Sequence, residues 1–262
     1  MKQLKSSLSN LKQIFTRTIA IREITEPLAS FDHDQSSANV AAFMDKRGFD
    51  VVGIRQHGAI IGYANRKDLA GAIVGTYVRF FEPGQILSDG EPLLEAFKAL
   101  NDRPRIYIYI IGHIGGIVTR GDLQKTPVRM WLFGLVSLTE MQMLRVIRDR
   151  LSTEQWTRLL PNQRRKYAEE VFKQRRTQNV EIDLSDCLHF ADKIKIFVNN
   201  DELFELLKMD SKNDAKSFFD KVQKLRDALA HSNDILGGKW PELVDVVTKL
   251  ENVLGRLENH KA

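Results

Sequence analysis

Cysteine is nearly missing from this chain: Cys187 is the only one in 262 residues. A single thiol excludes an internal disulfide and any zinc site built on cysteine pairs, and it points to a reducing cytoplasm. Long apolar runs are also missing. The longest, Ile106 to Val118, is broken by His113, Gly112, Gly115 and Gly116, and it falls short of the roughly 20 residues a membrane-spanning helix needs. The expectation is therefore no transmembrane segment and no membrane partner. The opening MKQLKSSLSNLKQIFTRTI has neither the apolar block nor the small-residue cleavage site of a secretory signal. Its Leu4, Leu8, Leu11 and Phe15 recur at helical spacing, which predicts an amphipathic helix over residues 1–20 docked on the rest of the protein. No Gly/Ser-rich linker separates the segments, so neighbouring domains are expected to be coupled.

What is present is the balance of a globular protein, with 43% apolar and 28% charged residues. The formal charge of +5 is unevenly spread: Arg145 to Arg176 holds ten Lys or Arg against four acids. The basic segment 164–176 is a candidate RNA-contacting face, with a solvated helix surface as the alternative.

The first half repeats itself. Gly62-Tyr-Ala-Asn65-Arg-Lys-Asp68-Leu69 matches Gly116-Ile-Val-Thr119-Arg-Gly-Asp122-Leu123 at an offset of 54 residues. Each copy carries a helical segment (Ser37 to Lys46; Glu91 to Leu100), an apolar strand (Phe49 to Ile54; Ile106 to Ile111) and a glycine-containing turn. A second strand and a polar helix start follow, predicting a pseudo-two-fold α/β domain. A hydroxyl and a carboxylate at a strand-to-helix turn suit a sugar-phosphate, because backbone N–H groups and the helix dipole favour phosphate there. The alternative is that Asp68 and Asp122 merely sit in the first helical turn as dipole partners. His57 and His113 occupy the turns without a nearby Cys or paired carboxylate, so no metal site is expected.

The pattern "Gly, two apolar residues, Thr or Ser, two residues, Asp, Leu" is whole in Gly116 to Leu123 and partial in Gly62 to Leu69, and it resembles a tandem pair of CBS domains over Ile21 to Lys125. The resemblance implies clefts for adenine nucleotides of the AMP, ADP and ATP class, and for S-adenosyl compounds in some members. It further implies that Asp122 accepts from ribose hydroxyls, that Thr119 donates to ribose or phosphate, and that Arg120 faces phosphate. Ile54 and Ile108 would line the base pocket, with Asn65 and Asp68 as the first copy's counterparts. Asn65 departs from the Thr or Ser of the pattern, so one nucleotide per chain, held by the second copy, is expected.

From Pro127 the periodicity is helical. Trp131, Leu135, Leu138 and Leu144 fall along one face; the sets beginning at Leu184, Ala215 and Leu243 mark three more helices. A bundle of four or five helices is predicted. The stretch Leu225-Arg226-Asp227-Ala228-Leu229-Ala230-His231 resembles the Arg-to-His motif of HEPN-like domains, many of which are metal-independent ribonucleases acting as homodimers. Arg226 can stabilise a phosphate transition state, His231 can exchange protons with a ribose hydroxyl, and Asp227, four residues earlier, can orient the imidazole. Alternatively Arg226 pairs with a neighbouring acid and His231 caps the helix.

The sequence therefore predicts a cytoplasmic α+β/α multidomain protein: an N-terminal helix at 1–20, a tandem CBS-like pair at 21–126 and an all-α, HEPN-like bundle at 127–262. Its expected function is regulatory, with an adenine nucleotide as the ligand, no cofactor required, a homodimeric state and signalling through Pro127 to Leu151. A nucleotide-regulated ribonuclease and a non-catalytic dimeric scaffold are the two alternatives.

Overall fold

The computed structural model describes residues 19–178, 181–231 and 240–259, together with Gln13 and Ile235. Apart from Gln13 and its last two residues, the predicted N-terminal helix lies outside the described residues. The chain forms two compact units, one within Thr16–Val128 and one within Arg129–Ala262.

In the first unit both copies build the same elements. The first has β1 (Glu26–Pro27), β2 (Ser30–Asp32), α1 (Ser37–Arg47), β3 (Val51–Gln56) and β4 (Ala59–Asn65). The second has β5 (Arg79–Phe80), β6 (Ile86–Ser88), α2 (Leu93–Asp102), β7 (Arg105–Ile110) and β8 (His113–Thr119). Helix α2 forms because Leu93, Ala96, Phe97 and Leu100 fall on one buried face. Helix α1 stops at Gly48, whose φ of 67° only glycine adopts cheaply. The strands pair as antiparallel hairpins through two-residue turns, His57-Gly58 and Ile111-Gly112, all four residues at positive φ.

The two sheets exchange their edges. Their strand orders are β2-β3-β4-β5 and β1-β8-β7-β6, so β1 completes the second copy's sheet and β5 the first's. Two glycines permit this exchange. A Cβ at Gly62 would lie 2.4 Å from the Arg79 carbonyl oxygen on β5, and one at Gly116 would lie 2.3 Å from Thr25 Cγ2 beside β1. The faces meet in a cluster of Leu28, Tyr107 and Ile114 with Ile60, Tyr63, Phe81 and Ile117.

The second unit is helical. Its members are α3 (Thr126–Arg150, entering from the first unit), α4 (Thr153–Arg158), α5 (Asn162–Thr177), α6 (Phe190–Asn199), α7 (Asp201–Leu207), α8 (Lys212–Ala230) and α9 (Trp240–Asn259). Ser152, Asn200 and Ser211 cap α4, α7 and α8 by accepting backbone N–H bonds. Helices α6 and α9 each pack on α7 and α8. Among the described residues α3 is the one helix long and apolar enough to cross a membrane, and 61% of its most apolar stretch is buried, as in the core helix of a folded unit. Arg129, Glu140 and Arg145 interrupt its apolar pattern.

Candidate functional site

Strand β8 ends at Thr119 and runs straight into a 3-10 turn, Arg120–Gln124. The junction is a capping box. The Asp122 Oδ2 atom accepts the Thr119 backbone N–H at 2.7 Å and its hydroxyl at 2.9 Å, satisfying donors that a helix start leaves open. Both motif residues are thus brought together. Asp122 keeps a side-chain exposure of only 12%, and its other oxygen, Oδ1, lies 2.9 Å from the Lys125 ammonium. Lys125 also donates to the Ile24 carbonyl at 2.7 Å and to the Glu26 carboxylate on β1. Burial works against the charge on Lys125, but Glu26 and Asp122 outweigh it and hold the ammonium above its ordinary value.

A cleft of about 780 Å³ opens beside this turn, within the size range of small-molecule sites. Glu26 to Ala29 form one side and Gly48 to Val51 another, with Pro104, Arg105, Ile117 and Thr119 closing it. Leu28, Val51 and Ile117 give apolar wall, Phe49 stands 40% exposed, and Thr119, Asp50 and Arg105 give polar groups. Of the expected site residues, only Thr119 lines this cleft.

The others lie elsewhere. Arg120 donates from Nε to the Leu100 carbonyl at 2.9 Å and from a terminal nitrogen to the Asn101 carbonyl at 3.0 Å. Those bonds cap the carbonyl end of α2, the favoured place for a cation. Ile54 and Ile108 are both 0% exposed; Ile54 packs with Val40, Met44 and Val52 in the first copy's core. Among the lining residues missed in the sequence, Phe49, Asp50, Pro104 and Arg105 share one signal: both pairs immediately precede or begin the first long strand of a copy.

The first copy's equivalent position is filled. Strand registers match Ile117 to Tyr63 and Gly53 to Tyr107 through Glu26↔Ile117 against Arg79↔Tyr63 and Ser30↔Gly53 against Ile86↔Tyr107. Counting on from the same registers, Leu28 corresponds to Phe81 and Thr119 to Asn65. Tyr63, Phe81 and Tyr107 pack ring against ring, with centroids 4.7 to 5.9 Å apart, and burial pushes the Tyr107 phenol far above its usual range. Asn65 accepts from Arg105 at 2.9 Å and donates to Asp68 at 3.0 Å, and Arg79 lies 2.8 Å from Asp68. The Asn65 bond, with Arg79 close by, holds the Asp68 carboxyl below its usual range.

In the helical unit Arg226, Asp227 and His231 are all exposed and have no hydrogen-bond or ion-pair partner for their side chains among the described residues. His231 is the residue after the last turn of α8, and its backbone N–H donates to the Asp227 carbonyl at 3.1 Å. Arg129, unforeseen from the sequence, donates to the Ala228 and Leu229 carbonyls at 2.9 and 3.2 Å, fixing that helix end. In the basic segment Arg164 is committed to Asp192; Lys166, Lys173, Arg175 and Arg176 are exposed. No group of metal-ligating side chains is present among the described residues.

No protein-family model matches the chain, and no curated protein matches it significantly. Solved structures similar to part of it include CBS-domain proteins. The CBS domain of the bacterial CNNM/CorC family Mg2+ transporter in complex with ATP is 16% identical, with 47% of this chain and 96% of that one covered and a TM-score of 0.37. CBSX2 in complex with AMP is 15% identical, with 42% and 97% covered and a TM-score of 0.37. CBSX2 from Arabidopsis thaliana is 15% identical, with 42% and 95% covered and a TM-score of 0.38.

Proposed function

We propose that residues 21–126 are a ligand-sensing pair of CBS type that binds one adenine nucleotide of the AMP, ADP and ATP class per chain. The helical residues 127–262 act as its output. The observation that carries this reading is the cleft at Thr119, open where the first copy's equivalent is filled by Tyr63, Phe81 and Tyr107. An adenine ring suits the walls of Leu28, Val51 and Ile117, and a stacking edge is available at Phe49. The ribose suits Thr119 and Asp122, because a carboxylate offers two acceptors to the two hydroxyl donors of a vicinal diol. Signalling requires only that the ligand bind two states of the protein unequally.

Calorimetric titration with AMP, ADP, ATP and S-adenosylmethionine tests the reading. Saturable binding of one ligand per chain is expected, with Thr119→Val and Asp122→Asn each weakening it at least about tenfold, the loss of one or more hydrogen bonds to a charged or polar ligand group. Wild-type protein that binds none of the four removes the sensor from consideration.

A second reading is favoured by the exposure of Arg226, Asp227 and His231 together at the end of α8. In it the bundle is HEPN-like and cuts RNA without a metal, as a homodimer, with Lys166, Lys173, Arg175 and Arg176 holding the phosphate backbone. Labelled RNA incubated with the protein in EDTA is then cleaved. His231→Ala is expected to slow cleavage by about 100-fold or more, the usual loss on removing a general acid or base; unchanged cleavage assigns the chemistry elsewhere.

A further inference from the structure

The Lys125 ammonium makes three contacts, to Asp122 Oδ1, the Ile24 carbonyl and Glu26, which uses all three of its protons. Asp122 Oδ2 is already saturated by the Thr119 N–H and hydroxyl. Asp122 thus has no idle oxygen for a ligand, and the group standing on Oδ1 is a lysine. The first copy has no such residue: Gly71 occupies the position 54 residues earlier, and Asp68 meets Arg79 of the exchanged strand directly. The register shows why the second copy differs. Glu26 takes the place of Arg79 opposite the turn, so two carboxylates would face each other there, and Lys125 bridges them.

We propose that Lys125 is an internal competitor for the ligand's vicinal diol, so that binding of a ribose at Asp122 requires the Lys125 contact to Oδ1 to be released. Release is tolerable because Lys125 keeps Glu26 and the Ile24 carbonyl. The contact then sets affinity and selects for ligands that carry ribose hydroxyls, since a hydroxyl donor replaces the contact that Oδ1 gives up. This inference rests on the nucleotide reading of the cleft.

The test is calorimetry of wild-type protein, Lys125→Met and Lys125→Gln with AMP and with 2′,3′-dideoxy-AMP, each variant first melted thermally to confirm folding. Lys125→Met is expected to bind AMP on the order of tenfold tighter, the weight of one charge-assisted hydrogen bond, with no gain for the dideoxy ligand. Lys125→Gln keeps a neutral donor near Asp122 and Glu26, and it is expected to show a smaller gain of the same sign if the methionine variant does not fold. Equal gains for both ligands, no gain, or weaker binding of AMP overturns the competitor role. Absence of AMP binding in wild type and both variants overturns the nucleotide reading itself, and this inference with it.

Discussion

Replacing Arg164 with methionine is expected to remove about 3–5 kcal/mol from the stability of the helical unit at neutral pH, the usual cost of stranding one member of a buried ion pair. Arg164 donates from Nε to Asp192 Oδ1 at 2.9 Å and from a terminal nitrogen to Oδ2 at 2.7 Å, while Asp192 is 1% exposed. The guanidinium also lies over the Tyr167 ring at 4.8 Å. Methionine fills much of the volume but leaves a carboxylate inside the protein with only the His189 N–H, at 3.1 Å, to stabilise it. Urea titration followed by tryptophan fluorescence reads this cleanly, because Trp131, Trp156 and Trp240 all lie in the helical unit. A loss smaller than about 1 kcal/mol would place the pair among ordinary surface bridges.

The same pair has a signature in pH. Burial alone would push Asp192 up, but the Arg164 fork and the His189 amide outweigh it and hold the carboxyl below its ordinary value. A carboxyl whose folded pKa is depressed contributes stability that is present above its unfolded pKa, about 3.9. That contribution disappears as the pH falls through the folded value. In Arg164→Met only the His189 amide still opposes burial, and the sign is expected to reverse: the folded pKa rises above the unfolded one, so protonation relieves the damage. The gap between wild type and variant is expected to be widest at neutral pH and to narrow as the pH is lowered through the acid range. A gap that stays constant down to acid pH contradicts the electrostatic account and leaves only lost packing.

Phe219→Ala should cost about 3–5 kcal/mol by the same fluorescence readout, as large-to-small changes at fully buried aromatic positions do. Phe219 is 0% exposed on α8, edge-on to Phe218 at 5.0 Å and to Phe190 of α6 at 6.2 Å. Its removal leaves a cavity where α6 meets α8, and the dense packing of an interior allows only partial collapse. Phe219→Leu, which restores much of the volume, is expected to recover over half of the loss. If alanine and leucine destabilise equally, the ring contacts and not the cavity set the cost.

Much of the local structure was legible in the residues alone. The 54-residue repeat gave two helix-strand-strand units, the expected glycine-containing turns formed at His57-Gly58 and Ile111-Gly112, the second taking Ile111 from the strand expected to hold it, and the apolar stripe from Ala215 to Leu229 became the buried face of α8. The sequence placed Thr119 and Asp122 at a helix start, but their closing of a capping box on each other came only with the structure. Periodicity and turn chemistry act over a few residues, and a sequence carries them openly.

What only the tertiary structure decided is which partner each site residue meets. Arg120 reaches carbonyls 19 and 20 residues back, and Lys125 binds a carbonyl 101 residues away. Nothing local distinguishes a phosphate-facing arginine from one that caps a distant helix. The edge exchange has the same character, since β1 and β5 are two-residue strands with no pattern of their own. That exchange sets Glu26 opposite Asp122 and Arg79 opposite Asp68. The sequence by itself determined the two copies and the helical remainder; long-range pairing of the exchanged edges determined that the copies are not equivalent.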